Sequence, residues 1–166
     1  MNRRNIIILF AITVLGLALP PSSSVAQQGS LRQQLVGTWT LVSCDPPANA
    51  TGDLPFCVNP SGSYNLDANG RFTIVIVARG RPKVTVTDRV NRATLSPEQY
   101  KAIAQGVAAQ FGTWSVNEAD KTLTQHVEGA FIPNNEGIDQ KLSVGLTGDE
   151  LKLVAAQFTS TWRRSK

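Results

Sequence analysis

The tripeptide Gly-Thr-Trp stands twice in this chain, at Gly37-Thr38-Trp39 and at Gly112-Thr113-Trp114, and each copy opens a run in which apolar and polar residues alternate. A period of two places every second side chain on one face of a strand. The second copy leads into a C-terminal half built of short alternating runs separated by turn residues. The pattern predicts a small antiparallel barrel with an interior suited to an apolar molecule.

Arg3 and Arg4 precede an apolar run from Ile6 to Leu19, followed by Pro20-Pro21-Ser22-Ser23-Ser24-Val25-Ala26. This predicts a secretory signal peptide over residues 1–26, cleaved after Ala26. The run is 14 residues long, short of the ~20 that cross a bilayer, so no stable membrane insertion is expected after cleavage. The paired arginines suit a twin-arginine signal or an ordinary positive leader equally. Cleavage would leave 140 of the 166 residues, a single domain over 27–166 in the periplasm or outside the cell. Two of the sixteen basic residues would leave with the leader, setting fourteen against twelve acids. That near-balance argues against nucleic acid as a partner.

Cys44 and Cys57 are the only two cysteines, in a chain expected in an oxidising compartment. A disulfide between them would close a short loop and stabilise by roughly 3 kcal/mol. Two thiolates with one histidine in the whole chain fall short of a closed four-ligand metal site.

Ser30-Leu31-Arg32-Gln33 has the form of a capping box, so a helical turn is expected to about Leu35. Strands are expected at Gly37–Cys44, Ser63–Leu66 and Arg71–Ala78, the last two joined by the turn Asp67-Ala68-Asn69-Gly70. Ser96-Pro97-Glu98-Gln99 predicts a helix start, and Tyr100, Ile103, Ala104, Val107, Ala108 and Phe111 recur at helical spacing. That stripe would pack the mid-chain helix on an end or flank of the barrel, or form a lid. Further strands are expected at 112–117, 122–128, 138–146, 150–156 and 158–163, with a weak additional one at Lys83–Thr87, and eight strands are expected to close the barrel. Eight strands leave an interior that side chains fill or that holds one small ligand.

Leu35-Val36-Gly37-Thr38-Trp39-Thr40-Leu41, Gly70-Arg71-Phe72, Gly112-Thr113-Trp114-Ser115-Val116, His126-Val127-Glu128, Ile132-Pro133-Asn134 and Gly148-Asp149-Glu150-Leu151-Lys152-Leu153 follow one another in order. In this series the chain resembles the bacterial lipocalin-like domain family, relatives of the lipocalins within the calycin group. The resemblance implies an all-β, eight-stranded antiparallel up-and-down barrel with a central pocket, and Trp39 packed at its closed end. It implies no particular chemistry, since a fold is not an activity. The mid-chain helix has no counterpart in the lipocalins themselves, the chain stops soon after Trp162-Arg163-Arg164, and Thr87-Asp88-Arg89 matches only half of their Thr-Asp-Tyr element.

Tyr64, Phe72, Trp114, His126 and Trp162 are the candidate pocket walls, because aromatic rings bury much surface at little rotamer cost. Gly37 and Trp39, with Cys44 and Cys57, are expected to serve structure. Arg79, Arg81 and Lys83 would offer a basic rim to an anionic headgroup, or form a solvated loop. Arg163, Arg164 and Lys166 read as an ordinary charged tail, or Arg163 would stack over Trp39 as arginines of the lipocalins do. His126 and Glu128 share a strand face and are the weak candidates for proton transfer in an isomerase or cyclase, against the plainer expectation of a solvated strand histidine. No sequence motif calls for a cofactor or a nucleotide. The favoured function is non-catalytic binding of a small hydrophobic ligand; the others are that isomerase and a filled barrel acting through its surface in the envelope or in stress.

Overall fold

In a computed structural model, residues 29–47, 54–83 and 95–166 are described. The expected signal peptide and residues 84–89 lie outside the described residues. No helix among the described residues is long and apolar enough to cross a membrane.

Eight strands close into a barrel in which each pairs antiparallel with its neighbours in sequence, and β8 returns to β1. They are β1 (Gly37–Asp45), β2 (Pro60–Leu66), β3 (Arg71–Ala78), β4 (Val107–Asn117), β5 (Thr122–Ala130), β6 (Asp139–Thr147), β7 (Glu150–Val154) and β8 (Thr159–Arg164). Closure removes both sheet edges, so every strand has two partners. The expected architecture is therefore present. Eight strands are reached without the weak segment at 83–87, of which only Lys83 is described, outside any strand.

The tight turns at 67–70, 118–121 and 147–149 all gather at one end, where the start of β1 and the end of β8 also lie. Helix α1 (Leu31–Leu35) covers that end. The expected capping box is made, with Ser30 accepting from Gln33 N and Gln33 reaching back. Glu118 takes the next two free donors, the Leu31 and Arg32 amides, at 2.8 and 3.0 Å. Opposite lie residues 54–59 of the β1–β2 connection, the 131–138 loop and the 155–158 turn.

The interior of the closed half is filled by rings. Trp39, Tyr64 and Trp162 are wholly buried, and Phe72 and Trp114 nearly so. Tyr64 meets Phe72 edge-on at 6.5 Å and Trp162 at 5.4 Å. Each such side chain contributes about 1.5–3 kcal/mol by leaving water.

The two Gly-Thr-Trp copies prove to be matched devices. The Trp39 indole N–H donates to the Leu35 carbonyl at 3.0 Å, and that of Trp114 to the Asp67 carbonyl at 3.1 Å. Each ring carries an arginine, Arg164 over Trp39 at 4.2 Å and Arg32 over Trp114 at 4.5 Å. The arginine on Trp39 is thus Arg164 and not Arg163, because strand alternation turns Arg163 to solvent while Arg164 stands opposite Trp39 in the β1–β8 register.

The mid-chain region corrects the expected helical stripe. Helix α2 (Pro97–Ala104) starts at the expected capping box but ends at Ala104, and Val107, Ala108 and Phe111 belong to β4. Gly106 interrupts the helix, and residues 107–111 find backbone partners along β3, from Val77↔Val107 to Thr73↔Phe111. Long-range ladder bonds outweigh a local helical pattern here. The shortened helix has no fully buried residue, and Ala102, Ile103 and Ala104 are half-buried.

Candidate interior binding site

Above the ring-filled half, side chains shrink and the barrel is hollow. A cavity of about 440 Å³ opens toward the end with the long connections, within the range of small-molecule sites. Ile74 and Ile76 from β3, Ala108 from β4, Leu142 from β6 and Leu153 from β7 form its apolar sides. Leu54 and Phe56 from the β1–β2 connection and Phe158 from the β7–β8 turn close over it, Phe56 and Phe158 meeting edge-on at 6.1 Å.

The Cys44–Cys57 disulfide forms as expected, with Cα atoms 5.2 Å apart. It pins the short 3-10 turn Pro55–Cys57, and with it Phe56, against β1. Phe131, Ile132 and Ile138 form an apolar lip at the opening and are 48, 50 and 43% exposed.

Polar groups in the cavity are few and uncharged, apart from Lys141 at its wall. Gln110 and Gln140 exchange two amide hydrogen bonds, 2.6 and 3.2 Å, across the intervening β5. Deeper, Gln125 is 2% exposed and its Nε2 donates to the Tyr64 hydroxyl at 2.7 Å. Ser160 Oγ accepts from the Trp162 indole N–H at 2.8 Å. Burial drives the Tyr64 phenol far above its ordinary pKa, the Gln125 bond offsetting a small part, so the hydroxyl keeps its proton. Among the described residues no cluster of three metal-ligating side chains occurs.

None of the five residues expected to wall a pocket lines this cavity, nor does Arg79 of the expected rim. Tyr64, Phe72, Trp114 and Trp162 are buried below it and form its packed base. Arg79 is exposed beyond the end of β3, and Arg81 turns back to the Ala78 carbonyl at 3.1 Å.

His126 and Glu128 face solvent on the outer side of β5. His126 Nδ1 lies 2.8 Å from Asp139 Oδ1, and Arg71 grips Glu128 with two bonds of 2.6 and 2.8 Å. Arg71 holds the Glu128 carboxyl below the usual carboxylate range, chiefly through that hydrogen bond, with a smaller contribution from His126. The two expected proton-transfer groups are thus engaged with different partners outside the barrel.

The cavity lining includes residues the strand pattern gave no reason to choose: Phe56 and Phe158 in connections, and Gln125 and Ser160 as buried polar groups on strands. One signal did point to Phe56. It precedes Cys57, and a disulfide to Cys44 must carry it to the barrel rim.

Among curated proteins none matches the sequence. The sequence model of one domain family matches residues 36–166, the span of the closed barrel just described. The chain belongs to the lipocalin-like domain family.

Proposed function

We propose that this protein binds a small apolar or amphiphilic molecule inside the barrel and performs no chemistry on it. The observation that carries this reading is the cavity of about 440 Å³ above a packed aromatic base, bounded largely by aliphatic and phenyl side chains. Transfer of apolar surface from water into such a space is favourable by about 25 cal/mol per Å². The apolar lip of Phe131, Ile132 and Ile138 gives such a molecule a path that avoids charged groups. Export is part of the same proposal, supported by the leader-like residues 1–26 and by the disulfide, which persists in oxidising compartments.

The isomerase reading loses its support, because His126 and Glu128 stand outside the cavity and bond to Asp139 and Arg71. A barrel acting only through its surface gives no reason for the hollow upper half.

Mass spectrometry of small molecules released by denaturing extraction from the purified protein tests the proposal. A stoichiometric apolar or amphiphilic compound is expected. Its absence, together with failure of the purified protein to take up polarity-sensitive apolar fluorophores, would overturn the reading.

A further inference from the structure

The cavity base contains an unsatisfied pair of roles. Tyr64 is wholly buried and its hydroxyl has Gln125 as its single hydrogen-bond partner among the described residues. A neutral phenol both donates and accepts, yet with Nε2 of Gln125 donating to it, its own hydrogen has no acceptor there. Oε1 of Gln125 meanwhile has no partner among the described residues. It is also not sealed from open space, since no buried side-chain oxygen or nitrogen among them lacks a hydrogen bond. Gln125 lines the cavity, so this free end of the amide faces into it.

A half-turn of the amide about its terminal bond exchanges oxygen and nitrogen with almost no change of shape. The phenol then donates to the amide oxygen, and the amide NH2 points into the cavity. A buried donor left without an acceptor is unfavourable, which favours this arrangement. Ser160 points the same way: an indole N–H only donates, so Ser160 Oγ accepts from Trp162, and its own hydroxyl hydrogen remains for the cavity it lines. No acidic side chain lines the cavity, and Lys141, the one basic residue that lines it, is on the exposed face of β6.

We propose that the base of the cavity is a seat for an uncharged carbonyl group, held by the Gln125 amide and the Ser160 hydroxyl, with the ligand's apolar body running toward the opening. Tyr64 is the positioning residue that fixes the Gln125 amide with its NH2 outward. A carboxylate is disfavoured because burying an anion without a cation costs far more than burying a neutral dipole. The inference rests on the binding function proposed above and adds to it the orientation and chemical class of the ligand.

The test uses the delipidated, refolded protein with four probes of one chain length: undecane, 2-undecanone, undecanoate and undecylamine. Gln125→Met is expected to weaken 2-undecanone about tenfold more than it weakens undecane, one hydrogen bond being involved. On the unaltered protein, the infrared carbonyl stretch of bound 2-undecanone is expected at the lower frequency of a hydrogen-bonded ketone. A stretch like that in hexane, equal effects of Gln125→Met on ketone and alkane, or tighter binding of undecanoate or undecylamine than of the ketone would each overturn the seat. Those results would leave the carrier reading intact wherever undecane binds; failure of all four probes would remove both.

Discussion

Gln125 and Tyr64, 61 residues apart in sequence, meet across the barrel at 2.7 Å and separate its packed half from its hollow half. The phenol is sealed below, and the amide opens above. Because burial raises the Tyr64 pKa above its unfolded value, the native state holds this proton more tightly than the unfolded chain does. The linked stability is fully present below about pH 10 and declines as pH rises beyond the unfolded value. Denaturant titrations between pH 8 and 11.5 should show this loss in the native protein and a shallower loss in Tyr64→Phe.

Gly112 faces the β-bulge in β5, where a Cβ would run into the His126 carbonyl oxygen and lie 3.0 Å from the Glu128 nitrogen. Both are ladder atoms and cannot retreat. Gly112→Ala should cost about 3 kcal/mol in urea unfolding. Gly145→Ala, whose Cβ would sit 3.7 Å from that of Lys152, should change stability by about 0.5 kcal/mol or less.

Arg164 stacks on Trp39 and also donates to the Val36 and Gln34 carbonyls, tying the end of β8 to the segment that leads into β1. Arg164→Ala should cost about 2 kcal/mol in thermal or chemical unfolding, from the lost ring contact and the two carbonyls left unpaired. Arg163→Ala, on the outward face, should stay within about 0.5 kcal/mol.

Replacing Cys44 and Cys57 together by serine should lower stability by roughly 3 kcal/mol. Because the bridge holds Phe56 at the cavity, the same change should weaken uptake of an apolar fluorophore. Equal uptake by the native and serine forms would mean that Phe56 keeps its place without the bridge.

Ala108 stands on the cavity side of β4 with open space before it. Ala108→Trp should fill that space, abolish fluorophore uptake and leave the far-ultraviolet spectrum unchanged. His126→Ala should bind as the native protein does, since that ring points to solvent.

Much of the barrel was legible in the residue pattern. Alternation marked most of the strands, Asn69-Gly70 marked the first hairpin, and two capping boxes marked two helix starts. Only Gly70 of that turn takes a positive φ, +86°. The extent of α2 was not legible, since Val107, Ala108 and Phe111 suit a helix face as well as a strand, and only pairing with β3 decides between them.

The site is less legible, because aromatic residues suit a pocket wall and a packed base equally. Depth in the barrel was nevertheless implicit: the tight turns all close one end, and Phe72 and Trp114 lie within a few residues of such turns, hence near the base.

By itself, then, the sequence determined the sheet, its antiparallel order and the disulfide, because these follow from local periodicity, turn chemistry and cysteine count. Tertiary structure alone decided which half is solid and which is hollow, which arginine covers Trp39, and which way His126 faces. Those depend on the register between strands distant in the chain, and a shift of one residue would turn every side chain to the opposite face.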